Sequence, residues 1–128
     1  MAVWPHRLAH PDQPCRIFQC PIEDAELEGP YHLVVCGLPF NNFPLDLTRH
    51  IFGIMLESMH PEGWLSYFEY LAMRPLKWPF VGSTGRTTLR RHGDYLAELE
   101  QRHNGYRRLI PMNIPPAWSV HLQGAATA

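Results

Sequence analysis

Residues 32–44 hold the groups whose types and spacing bear most directly on chemistry. An apolar run from His32 to Cys36 meets Gly37, Leu38, Pro39 and Phe40, which read as a rigid strand-to-helix turn. Asn41 and Asn42 follow, then Phe43 and Pro44. The two asparagines suit either a polar head group or a cap for the next helix. Further on, Glu69 and Tyr67 share one alternation, and Glu69 offers a carboxylate to a cationic amine. Trp78 and Phe80 beside Arg74 and Lys77 fit a membrane-surface anchor, or a loop packed on the core. Arg86, Arg90, Arg91, Arg102, Arg107 and Arg108 either extend that surface or lie on solvated faces. His6 and His10 have a helical zinc spacing, but Pro5 and Pro11 flank them, so no metal site is expected. Cys15, Cys20 and Cys36 lack ligand spacing and suit small core positions. No Ser/His/Asp arrangement, P-loop or paired-glycine phosphate cradle is present.

The elements that must position these groups follow from periodicity. Residues 1–14 carry three prolines and no period, and read as a loosely ordered leader. Arg16 to Cys20 reads as a short strand stopped by Pro21. An acidic stretch from Ile22 ends in the turn signal Gly29-Pro30. Leu33 to Cys36 has the continuous apolar character of a parallel strand buried on both faces. Asp46 to Met59 reads as a helix, with Leu47, Ile51, Ile54, Met55 and Met59 as its apolar stripe and Asp46 as its capping acid. His60-Pro61-Glu62-Gly63 should stop that helix, and Trp64 to Leu71 forms the next strand. Strand, helix, strand with short connections is a right-handed parallel crossover by default. Arg74 to Gly85 is a loop. A second helix covers about Thr87 to Arg102, with Leu89, Tyr95, Leu96 and Leu99 on one face and Gly93 as its weak point. Asn104-Gly105 turns the chain into a terminal antiparallel hairpin, Tyr106 to Ile114 and Ala117 to Leu122.

The chain has 128 residues, 45% of them hydrophobic and 18% charged, which bounds it to one soluble-type α/β domain with a real core. Net charge is -1, but it is divided. Residues 1–70 carry 3 basic and 9 acidic side chains, and residues 71–128 carry 8 and 3. A basic second half suits an anionic surface. An odd number of cysteines without a CxxC argues for a reducing, cytoplasmic setting rather than a disulfide framework. There is no apolar run of spanning length, so contact with a membrane would be peripheral.

Three segments, residues 34–44 (VVCGLPFNNFP), 63–70 (GWLSYFEY) and 113–118 (NIPPAW), resemble the class I S-adenosylmethionine-dependent N-methyltransferases. The likeness is greatest to the bacterial phospholipid type that methylates phosphatidylethanolamine or ornithine lipid, and it covers about residues 15–122. It implies a Rossmann-like, doubly wound sheet of which only the C-terminal part is present. In that family the turn after the fourth strand binds the target amine. The proline stiffens it, backbone carbonyls accept hydrogen bonds from the amine, and the aromatic ring packs on it. Carried over residue by residue, Gly37, Leu38, Pro39 and Phe40 would be catalytic, Asn41 and Glu69 would meet the lipid amine, and Pro21, Ile22 and Cys36 would lie at the cofactor.

The resemblance also has a gap. The family's glycine-rich turn and ribose-binding acid have no counterpart, since residues 1–14 contain no glycine. A sheet lacking its first two strands leaves unpaired edges and exposed apolar faces, to be covered by an N-terminal half or a homo-oligomer. Catalysis by these residues alone should then be weak or absent. Two alternatives remain open. One is an rRNA adenine dimethylase-like enzyme, whose similar turn carries Asn where this chain has Gly37. No aromatic-basic stacking motif supports it, so nucleic acid is not an expected partner. The other is a non-catalytic fragment or interaction module. The tail at 123–128 is expected to fray.

Overall fold

The computed structural model describes residues 15–70 and 83–126. The expected leader, His6 and His10, and Lys77, Trp78 and Phe80 of the expected loop lie outside the described residues. Within them the fold is mixed α/β. Strand β1 (Tyr31–Cys36), helix α1 (Leu45–Glu57), strand β2 (Met59–Tyr70), helix α2 (Ser83–Arg102), strand β3 (Tyr106–Ile110) and strand β4 (Ala117–Gln123) follow in order. The sheet runs β1-β2-β4-β3. β1 and β2 are parallel neighbours joined through α1, with Cys36 opposite Tyr67. β4 inserts antiparallel between β2 and β3, placing Glu69 opposite Trp118 and Arg107 opposite Val120.

One face of this sheet is the core. Leu65, Tyr67 and Glu69 of β2 and Val120 and Leu122 of β4 alternate inward. They meet Ile51, Phe52 and Met55 of α1 and Leu96 and Leu99 of α2. The buried stripe of α1 is Thr48, Ile51, Phe52 and Met55, at three- and four-residue spacing, so the expected stripe is shifted and Leu47 is exposed. A polar pair unites the helices. Thr48 Oγ1 lies 3.0 Å from His92 Nε2, and both residues are buried. At the far end of α2, His103 Nδ1 is 2.9 Å from the Gln123 carbonyl, and Gln123 N–H donates to the His103 carbonyl at 2.8 Å.

Several sequence expectations give way here. Arg16 to Cys20 is not a strand: it has no ladder partner among the described residues. It is held by an ion pair from Arg16 to Glu28 and by the same guanidinium 5.2 Å above the Phe18 ring. β1 is not buried on both faces, because Leu33 and Val35 point away from the helices and are exposed. α1 starts from Pro44 without a side-chain cap bond, so neither the asparagines nor Asp46 caps it, and Asp46 sits in the first turn instead. There a carboxylate still meets the positive helix end. The residues 60–63 do not end α1, which stops at Glu57. They bulge within β2 opposite the register shift between Tyr31 and Leu33. Gly63 is required there, since a Cβ would sit 2.8 Å from the Tyr31 carbonyl oxygen. Gly124 N–H donates to Gly63 O and Ala125 N–H to Pro61 O, each at 2.8 Å, which clasps the bulge from the other side.

The interhelical pair gives a direct test. Thr48→Val keeps the shape and removes the hydroxyl, so His92 loses that buried partner. We expect a loss of about 1–3 kcal/mol in urea unfolding with an unchanged slope. The exposed Leu47→Ala should cost less than about 0.5 kcal/mol.

Candidate functional site

The carboxyl end of β1 carries the turn singled out in the sequence. Gly37, Leu38 and Pro39 are exposed, and Phe40 to Asn42 form a single 3₁₀ turn. Its backbone closes tightly. Phe40 N–H donates to Leu38 O at 3.0 Å, Asn42 N–H to Pro39 O at 2.9 Å, and Phe43 N–H to Phe40 O at 3.1 Å. Each of those carbonyls keeps a second lone pair for an external donor. A Cβ built on Gly37 meets nothing within 4 Å, so the space beside the turn is open.

Phe40 is placed differently from the expectation that its ring lies against a ligand. It is only 3% exposed. Its ring centroid lies 4.6 Å from Phe52 of α1 and 6.0 Å from Tyr67 of β2, the latter edge-to-face. Its contribution to the turn is therefore anchorage. An aromatic side chain at this position, with Phe43 packed edge-on at 5.9 Å, fixes the turn to both layers of the fold.

Beside the turn lies an open apolar cleft of about 280 Å³. Ile22, Leu27, Val34, Cys36, Leu38 and Met55 contribute to its lining, and Gly37 borders it. The structure thus brings together Ile22, Cys36, Gly37 and Leu38 of the expected site. Pro21 is adjacent, as the residue preceding the 3₁₀ turn Ile22–Asp24. The Cys36 thiol is pushed up from its ordinary pKa by burial, with the Leu38 backbone N–H opposing as a donor to sulfur. It is a protonated wall of the cleft at neutral pH rather than a thiolate nucleophile.

Glu69 is not brought to this cleft. It is buried on the core face, two residues beyond Tyr67, the register partner of Cys36. Its charge acts on Arg107, whose guanidinium is raised mainly by its hydrogen bonds to Glu100 and further by Glu69 and Tyr67. Arg107 also lies 5.7 Å over the Trp118 ring. Glu69 thus belongs to a structural charge cluster between the sheet and α2. The backbone of Asn41 is in the 3₁₀ turn, and its side chain lies outside the described residues. Leu27, Val34 and Met55 were not foreseen as cleft residues, because only their packing reveals them. A second, charge-mixed cleft of about 360 Å³ lies between the helices, lined by Asp46, Arg49, Arg91, Asp94, Tyr95 and Glu98.

Among the described residues no group of three or more His, Cys, Asp or Glu is placed to hold a metal ion, and no helix is long and apolar enough to cross a membrane. Compared with protein-family models, with curated proteins and with solved structures, the chain matches none.

Thiol chemistry checks the placement of Cys36. With iodoacetamide at pH 7.5 and peptide mass spectrometry, the exposed Cys20 should alkylate rapidly. Cys36 should react only above the ordinary thiol range or in denaturant. Equal rates at neutral pH would contradict a buried, protonated Cys36 thiol.

Proposed function

We propose that this chain carries the amine-positioning part of an S-adenosylmethionine-dependent N-methyltransferase that acts on the amine of a phospholipid or aminolipid. The observation that supports this most is the exposed Gly37–Pro39 turn at the carboxyl end of a parallel strand, beside an apolar cleft that also contains Ile22. In α/β sheets of the doubly wound kind, ligands sit in crevices outside the carboxyl ends of the strands. The proposed place of action is a cytoplasmic membrane surface.

The fit to the cofactor is partial. The cleft is apolar and of a size to take a flat heterocycle, with Ile22 and Cys36 as its walls. No residues of the chain match the glycine-rich turn or the ribose-binding acid. The cofactor supplies an already activated methyl group, so the protein's task is alignment of the accepting nitrogen. Gly37, Leu38 and Pro39 would perform it with their carbonyl oxygens, while the buried Phe40 keeps them in place. The amine must be neutral to use its lone pair, and no base is needed at the turn if solvent takes the proton first. With the glycine-rich turn and the ribose-binding acid both unmatched, turnover by these 128 residues alone should be weak or nil.

The reading is tested by amide NMR of the full chain. S-adenosylhomocysteine at about millimolar concentration, where weak sites begin to fill, should shift Ile22, Cys36 and Gly37. Phosphoethanolamine or a soluble aminolipid should shift Gly37, Leu38 and Phe40. No response of these amides to either compound would remove the proposal. Rapid methylation of aminolipid vesicles by the purified chain would instead refute the expected weakness.

A further inference from the structure

The sheet has a second face, and the described residues leave it uncovered. Leu33 and Val35 of β1, Trp64 and Phe68 of β2 and Tyr106 of β3 all point away from the helices. Their exposures are 65%, 65%, 37%, 39% and 49%. At about 150–250 Å² of full surface per large side chain, they expose roughly 500 Å² together. That reaches the upper range of the largest apolar patch on an ordinary monomer. It also equals the apolar share of one side of a standard interface, where about 800 Å² per partner is a little over half apolar.

Three polar side chains at the middle of this face are already paired with one another. Ser66 Oγ lies 2.7 Å from His121 Nδ1, and Ser119 Oγ lies 3.0 Å from His121 Nε2. One ring nitrogen of the neutral imidazole donates and the other accepts, so both are satisfied without water. The ring is stacked on Tyr106 at 4.7 Å. Burial, with the nearby Arg108 cation, holds the His121 pKa below its ordinary value, which keeps it uncharged at neutral pH. Covering this face therefore leaves Ser66, Ser119 and His121 satisfied. The ladder-paired outward positions from Trp64 onward carry no acid and Arg108, on the edge strand β3, is their one full charge, while Glu62 is exposed in the bulge at one end.

We infer that this face docks on the same face of a second copy of the chain, sheet against sheet about a two-fold axis. A flat apolar face with internally paired polar groups complements itself, and two such faces can interdigitate about 10 Å apart as the layers of a sandwich do. The lone Arg108 sits at the rim, where water still reaches it. A single cation gives little attraction to an anionic lipid surface, which disfavours a membrane as the occupant. This inference is independent of the methyltransfer proposal.

The test is sedimentation velocity of the full chain from about 1 to 100 µM, which spans the micromolar end of what interfaces of this size reach. The expected result is a reversible monomer–dimer equilibrium. Phe68→Glu, at the centre of the face, should weaken it by about thirtyfold or more. Val35→Ser, a milder change at an exposed position, should weaken it less and guards against misfolding, with circular dichroism as the check. Leu109→Glu alters a residue that is 45% exposed on the opposite alternation, and should leave the dimer intact. A chain that stays monomeric at all concentrations overturns the inference, whether residues 1–14, residues 71–82 or added lipid vesicles then cover the face. So does a dimer that neither face variant weakens.

Discussion

Burial of the Phe40 side chain is the constraint on which the candidate site depends. The residues before it are exposed and form no part of a ladder, and their hydrogen bonds close the turn on itself and on Cys36 without reaching α1 or β2. The Phe40 ring, seated between Phe52 and Tyr67, ties them to the crossover helix and to the central strand at once. Tyr67 and Phe52 pack edge-to-face at 5.1 Å, so one aromatic cluster links β2, α1 and the turn. Backbone carbonyls can act as preset acceptors only if their positions are fixed before a ligand arrives. Here apolar packing, not polar contact, does the fixing.

The same economy of elements explains the asymmetry of the sheet. Two helices cover one face, and two buried polar links, Thr48 with His92 and His103 with Gln123, set how they lie on it. The opposite face receives no described element. Its polar groups close on themselves through His121, while its aromatic and aliphatic groups remain available. The helices and sheet already make two layers, and an open apolar face on the sheet invites a third. Both proposals above rest on this division: the sheet's carboxyl end supplies the candidate site, and its open face supplies an interface.

Much of this was legible in the residues, and the failures have physical causes. The crossover, the second helix, the terminal hairpin and the turn at Gly37 followed from period and punctuation, although α2 begins at Ser83, inside the expected loop, and β3 ends at Ile110 rather than Ile114. The strand expected at Arg16 to Cys20 failed because propensity cannot supply a ladder partner. The residues 60–63 have the composition of a loop, yet lie within β2, because Gly63 permits close backbone approach and Gly124 and Ala125 hold the segment from β4's side. Leu33 and Val35 looked buried because apolar runs usually are, and only tertiary packing tells which face has a cover. Thr48 and His92 escaped notice since their shared hydrogen bond is what allows two polar side chains into the core. At the site, the turn was visible but the destination of its aromatic ring was not. A Phe after a proline can face a ligand or the interior, and the choice depended on Phe52 and Tyr67. Glu69 lay on an alternation whose buried face could not be chosen from sequence, and proved to be buried on the core face opposite Trp118.

The central claim is that a buried ring holds an exposed turn, and hydrogen exchange on Phe40→Leu tests it most directly. This change keeps an apolar side chain but removes the ring's edge-to-face contacts. The account predicts that the amides of Leu38, Phe40 and Asn42 exchange about tenfold faster or more, as a local loss near 1.4 kcal/mol requires, while the ladder amides of Tyr67 and Val120 keep their rates. Unchanged exchange at the turn, or equal acceleration throughout the sheet, would contradict it.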